Sequence, residues 1–418
     1  MKTKLQVLTI GLIVFFLAAC QSQKNTQDYS QFTKDFISFV DENPEMKALL
    51  VKSLDKCKQI NPDTITNPVQ SLEQYYDFVE WSTHCMPWNI FTQAEERDLF
   101  TKIDQSLNYF YWLVDQDLEE LKDSDYYHPS LQYHEPFRTW LIDYTKQWGS
   151  YLSSEESWNE DYLKLVQENP KFGLQAGWYE DPSNWHSYND FFSRSLKDEF
   201  QRPIAEPDND ALVVSPVDGE PQGKWEIDAE GLLVQKEGVQ IKSRRYRSTE
   251  ELLANSQYRD QFKNGTMVHT FLNVHDYHCY HFPVGGKVLE MLLVPGDEAI
   301  GGDVVFDPET KMYIIDCSVP QWQAIETRLV AIVQTEQFGL VALMPIGMSQ
   351  VCSCNWAENL AVGQEVKKGD MLGYFLFGGS DFVILFQEGI NVTIEPSLQE
   401  GDMYKHTLQG EAFCRLSK

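Results

Sequence analysis

The sequence predicts an α+β protein in two folded parts, a helical N-terminal domain over 28–177 and a mostly antiparallel β domain over 178–418. Three observations carry that expectation. Leu99–Leu121 and Pro136–Leu152 place apolar or aromatic residues at three- and four-residue spacing, as amphipathic helices do. From Val213 onward, short β-branched runs alternate with turns. With 42% hydrophobic and 13% aromatic residues among 418, the chain is too apolar for disorder and long enough for two or three domains that bury cores without staples.

Helices are expected from about Asp28 to Gln167, where Tyr109, Phe110, Tyr111, Trp112, Trp140, Trp148 and Trp158 read as packed core with some interface rather than a ligand cage. A connector follows from Trp178 to Ile204, carrying Pro182, the aromatics Trp185, Tyr188, Phe191 and Phe192, and then Arg202-Pro203. Strands are expected at Lys287–Pro295, at Gly302–Pro308 against Met312–Cys317, and at Arg328–Gln334 against Gly339–Met344. A last pair sets Met371–Phe377 against Phe382–Phe386. There is no internal repeat.

The first residues read as a targeting segment. Lys2 and Lys4 precede an apolar run from Val7 to Ala19, which has signal-peptide length and is too short to cross a bilayer core of ~30 Å as a helix. Leu17-Ala18-Ala19-Cys20 followed by polar 21–28 resembles the bacterial lipobox, so 1–19 is expected to be removed, Cys20 lipidated and 20–27 left as a tether. The expected location is a bacterial membrane-anchored lipoprotein facing the periplasm or the cell exterior. An ordinary cleaved secretory signal and an uncleaved anchor are the alternatives.

The balance of 34 basic against 63 acidic residues gives a net charge of −29, and losing 1–19 removes two lysines more. Such a surface repels phosphate backbones, which excludes an extended nucleic-acid footprint, and it gives no basic attraction to an anionic bilayer. Beyond Cys20 the cysteines are Cys57, Cys85, Cys279, Cys317, Cys352, Cys354 and Cys414, an odd set in a compartment that permits disulfides. Cys352-Ser353-Cys354 lacks zinc-ribbon spacing, so buried thiols are expected, with a Cys57–Cys85 bridge between helices left open.

Three constellations carry chemistry. Four of nine histidines fall between His269 and His281. His275, His278 and His281 would meet at a metal only on a helix, which Pro283 argues against; the other reading is one acid-base histidine oriented by its neighbours. Phe377-Gly378-Gly379-Ser380-Asp381 lies between two apolar runs, where the glycines free the backbone and clear the approach of a hydroxyl to the preceding carbonyl, or simply make a hairpin turn. Ser215-Pro216-Val217-Asp218-Gly219 is a turn bearing a carboxylate. Together they supply Asp, His and Ser, the residue types of a nucleophilic triad.

The ordered set Phe191-Phe192-Ser193-Arg194, Ser215-Pro216-Val217-Asp218-Gly219, Asp276-Tyr277-His278-Cys279-Tyr280-His281-Phe282-Pro283, Gly363 to Gly373 and Gly378-Gly379-Ser380 resembles the phosphatidylserine decarboxylase family over roughly 190–390. The preceding helical part resembles a branch that includes a fungal tryptophan decarboxylase.

The resemblance implies self-processing. His281, assisted by Asp218, would activate Ser380, whose hydroxyl attacks the Gly379 carbonyl. Elimination and hydrolysis then leave a pyruvoyl group on residue 380, with a β subunit of 20–379 paired to an α subunit of 380–418. The pyruvoyl ketone would condense with a substrate amine and take up the electrons released as CO2 leaves, with His278 returning a proton. The expected partner is an amine with an α-carboxylate, either phosphatidylserine in phospholipid synthesis or a free L-amino acid such as tryptophan, and the membrane is reached through the anchor on Cys20. Two positions depart from the family pattern. Cys279 stands where Arg is usual, and Asp381 where Ser or Thr is usual; a carboxylate there would either repel the developing oxyanion or act as a local base. An uncleaved lipid- or partner-binding lipoprotein is the runner-up of another class, and a metal-dependent hydrolase is third.

Overall fold

The computed structural model describes residues 29–89, 97–123, 128–234, 248–296, 303–316, 326–348, 354–399 and 404–418. The targeting segment, Cys20 and the 20–27 tether therefore lie outside the described residues, as do Cys317 and Cys352.

Helices form where local caps and apolar spacing agree. Ser30, Ser71 and Asp98 accept backbone N–H bonds at the starts of Gln31–Glu42, Leu72–Ser82 and Leu99–Trp112, meeting donors that a helix start leaves unpaired. The expected helix from 99 to 121 stops at Trp112, and Glu119–Leu121 is a separate 3-10 turn. Phe137–Leu152 forms as expected. Cys57 and Cys85 are buried free thiols that donate to the carbonyls of Trp112 and Ser82 at 3.4 Å each, so the bridge left open by the sequence is not made.

The β region is built on an eight-stranded antiparallel sheet in the order Glu365–Val366, Gly286–Val294, Thr327–Gln334, Leu340–Met348, Gly379–Phe386, Thr266–Leu272, Glu220–Ile227, Leu233–Val234. The strand with the most apolar sequence, Phe382 to Phe386, lies inside it with every residue at 0–1% exposure, which explains its lack of polar alternation. Two of the expected hairpins form: Asp303–Asp307 with Met312–Asp316, and Thr327–Gln334 with Leu340–Met348. The third does not. Met371–Phe375 pairs with Cys354–Trp356 and Cys279–His281 in a separate small sheet, while Gly379–Phe386 pairs with Leu340–Met348 and Thr266–Leu272. The chain changes sheets across Leu376–Gly378, and Gly378 sits at φ +151°, a conformation that L side chains rarely adopt.

Helical and β regions share one hydrophobic cluster, which runs from Phe36 and Trp112 through Trp148 to Phe377 and Phe382. The hairpin Asp303–Asp316 reaches into the helices: Tyr313 accepts bonds on its carbonyl from Gln105 and Asn108 at 2.8 and 2.9 Å, and Val304 N–H donates to Asp115 at 2.9 Å.

Candidate active site

The site is assembled where the central sheet meets the turn that follows Thr266–Leu272. Ser380 opens the central strand, opposite Leu272 on one side and Gly347 on the other, and is wholly buried. The turn beyond Leu272 is closed by Asp276, whose N–H donates to the Asn273 carbonyl at 2.9 Å and whose carboxylate accepts Asn273 N–H at 2.8 Å. This brings His278, also at 0% exposure, over the serine, with Nδ1 3.3 Å from Ser380 Oγ.

The other face of the imidazole determines its protonation. Nε2 of His278 lies 3.1 Å from the Asn273 carbonyl oxygen, which can only accept, so Nε2 carries the hydrogen and Nδ1 presents a lone pair to the serine hydroxyl. Burial lowers the His278 pKa to about 3, so the ring is a neutral base across the physiological range. Phe192 stacks on it at 3.8 Å between ring centroids, with planes 26° apart.

The two other residues expected to act on Ser380 are held elsewhere. His281 Nδ1 donates to the Gly369 carbonyl at 2.8 Å and its Nε2 meets the Tyr277 hydroxyl at 3.1 Å. Asp218 forms a buried two-pronged pair with Arg202, at 3.0 Å from Nε and 2.6 Å from Nη2, and accepts Gln409 N–H at 2.7 Å. The turn around Asp218 is pressed against the central sheet: a Cβ on Gly219 would stand 2.5 Å from the Phe271 carbonyl oxygen. The geometry therefore couples Ser380 to His278, in place of the expected Asp218–His281–Ser380 arrangement.

Asp381 has a different place from either expectation. Side chains alternate along a strand, and Asp381 projects to the face opposite Ser380, where it bonds His269 Nε2 from the neighbouring strand. It is fully buried, its second oxygen has no hydrogen-bond partner, and burial raises its carboxyl above the usual range. It is neither beside the serine hydroxyl nor available to it as a base.

His275, His278 and His281 do not converge, and among the described residues no group of three His, Cys, Asp or Glu is arranged to hold a metal ion. The strand Cys279–His281 also borders a cleft of about 690 Å³ lined in part by Ser193, Cys279, Phe282, Leu360, Met371 and Tyr374, of which Ser380 and His278 are not part.

Several residues that build the site were given no role by sequence reasoning. Arg194, buried, donates to the carbonyls of His275 and Asp276 at 2.8 and 3.0 Å and so holds the turn that aims His278. A capping box of Ser187 and Asp190 fixes the short helix Tyr188–Phe192, which presents Phe192 to His278 and Asn189 to the Phe377 N–H at 3.0 Å. His406, from the far side of the cleavage point, bonds Asp276 at 2.9 Å. The Phe191-Phe192-Ser193-Arg194 motif was the available signal; Asn273, Asp276 and His406 act through backbone and turn geometry that spacing does not reveal.

The family model for phosphatidylserine decarboxylase matches residues 188–415, more than half of the chain. The chain belongs to the phosphatidylserine decarboxylase family. A phosphatidylserine decarboxylase proenzyme of Fusobacterium nucleatum is 28% identical over 64% of this chain and 80% of its own length. The L-tryptophan decarboxylase of Psilocybe cubensis is 29% identical over 48% of this chain and 46% of its own, so the match spans less than half of that relative. Proenzyme 2 of Oryza sativa is 28% identical over 59% of this chain and 36% of its own length. Within this family, Ser380 is preceded by Gly379 and faced by a neutral imidazole lone pair, an arrangement that fits the making of a pyruvoyl group from the serine.

Proposed function

We propose that the chain is a self-processing, pyruvoyl-dependent carboxy-lyase acting on a substrate that carries an α-amino carboxylate. The observation that carries this reading is the buried Ser380 hydroxyl 3.3 Å from the unprotonated Nδ1 of His278. His278 takes the hydroxyl proton as Ser380 Oγ bonds to the Gly379 carbonyl carbon; the bond from that carbon to the Ser380 nitrogen breaks, and the nitrogen receives the proton. Loss of the residue-380 α-proton with departure of the ester oxygen leaves Gly379 as a carboxylate. Water then releases the 380 nitrogen as ammonia and leaves a ketone at the new N-terminus. That group, once formed, supplies an electron sink for decarboxylation. Around it, the neutral His278 is placed to hold and return a proton, and Arg194, Asn273 and Asp276 keep its ring aimed.

Phosphatidylserine and a free L-amino acid present the same reacting atoms. The family and the bacterial relative favour the first, and the fungal relative the second. The lipobox-like Leu17 to Cys20 supports export and anchoring of the mature chain. Intact mass of the purified protein, beside Ser380→Ala and His278→Ala, tests the reading. Fragments ending at 379 and beginning with a pyruvoyl residue at 380, absent from the serine variant and slowed at least about a hundredfold in the histidine variant, are expected. A single uncut chain in all three would instead favour a non-catalytic binding lipoprotein.

A further inference from the structure

Ser380 and His278 are both at 0% exposure, so in the uncut chain no substrate reaches them. What closes the site is the chain itself. Phe377, three residues before Ser380 and also fully buried, fills an aromatic chamber: its ring meets Trp148, Tyr188 and Phe192 edge-on, at centroid distances of 5.7, 5.2 and 5.3 Å and interplanar angles of 79°, 75° and 82°. Phe192 lies in turn on His278, so the chamber adjoins the base.

Resting on the self-cleavage reading, we infer that Phe377 is a placeholder for the substrate side chain, that cleavage ejects it, and that the substrate is a free aromatic L-amino acid. Cleavage turns the Gly379 carbonyl into a carboxylate at a new chain end. The rings of Trp148, Tyr188 and Phe192 offer that charge no counter-ion, and an unpaired carboxylate is not retained in an apolar enclosure. The end is also free to leave, because Gly378, at φ +151°, and Gly379 are the residues with the most conformations to gain on release. The vacated space has the size of an aromatic side chain and walls that favour edge-on rings.

Two features select among substrates. The Tyr188 hydroxyl is buried with no hydrogen-bond partner, leaving it available to an indole N–H or a phenol hydroxyl. The side chains lining the chamber, Trp148, Tyr188 and Phe192, carry no charge, and the adjoining His278 is neutral, so the phosphodiester of phosphatidylserine would enter as an unpaired anion.

The test begins with protein whose two fragments have been verified by mass; an uncut chain at that step overturns the self-cleavage reading itself. On verified protein, carboxypeptidase should trim the β fragment through Gly379, Gly378 and Phe377, and calorimetry should show indole binding to cleaved protein but not to Ser380→Ala. A tail protected from the peptidase, or indole bound equally by both, overturns the placeholder. L-Tryptophan, L-tyrosine and L-phenylalanine are then compared with L-alanine and with phosphatidylserine vesicles. The expected result is a kcat/KM for the aromatic acids at least about tenfold above both. Tyr188→Phe should lower kcat/KM for tryptophan or tyrosine about tenfold and leave phenylalanine unchanged. Preference for phosphatidylserine or alanine overturns the substrate class, and an unchanged tryptophan-to-phenylalanine ratio in Tyr188→Phe overturns the role of the hydroxyl.

Discussion

His278 is held neutral by burial, and a neutral buried imidazole has opposite consequences for folding and for chemistry. Its pKa in the fold, about 3, lies below the ordinary value of 6.5, so below pH 6.5 the unfolded chain takes up a proton that the folded chain refuses. Stability should therefore be full above pH 6.5 and fall as pH drops from there toward 3, measured by urea unfolding of Ser380→Ala. Self-cleavage of the folded precursor, by contrast, should show no inflection near pH 6.5, because the base stays unprotonated; a rate that halves at that pH in stopped-time gel assays would contradict the burial. Asp381 gives a second expectation. Since its carboxylate faces away from Ser380 and pairs with His269, Asp381→Asn should cleave within about tenfold of the parent. The same change should cost about 1–3 kcal/mol in unfolding free energy through loss of the charged partner in a buried pair.

The turn 273–278 and the short helix Tyr188–Phe192 place the base, and each depends on a contact distant in sequence. Arg194 spans 82 positions to bond Asp276. Arg194→Gln should lower unfolding free energy by about 2 kcal/mol and slow cleavage more than tenfold, while Asp218→Asn, which disturbs the Arg202 pair but no atom at Ser380, should slow it less. Equal effects on cleavage, followed by fragment mass, would return Asp218 to the reacting centre. At the sheet, Gly219→Ala should destabilise by about 1–3 kcal/mol, because its methyl would stand 2.5 Å from the Phe271 carbonyl in the strand paired with Asp381.

Residues 380–418 are interleaved with the rest of the chain. They supply nearly all of the strand Gly379–Phe386, an inner strand of the large sheet, and pair Ala412–Ser417 with Leu212–Val214. After cleavage the two fragments should co-elute by size exclusion and separate only in denaturant; separation in native buffer would contradict this pairing. The helical region is equally committed, since it shares a core with the sheet and supplies Trp148 to the wall around Phe377. Deleting 28–165 should therefore yield insoluble or unfolded protein rather than an enzyme of altered preference.

Local sequence was sufficient for several features. The helical spacing of 137–152, the hairpins 303–316 and 327–348, the glycines before Ser380 and the cluster around His278 were all legible, because each rests on contacts within one segment or on a family motif. The pairing of Met371–Phe375 with Cys279–His281 was not, since two adjacent apolar runs look alike whether they pair with each other or with distant strands. Nor was the partner of Ser380. Two histidines three residues apart are equivalent in sequence, and only the Asn273–Asp276 turn, locked by Arg194, swings one over the serine and leaves the other on Gly369. Residue types with reactive atoms are written in the chain, but which of them meet at bonding distance is set by long-range packing.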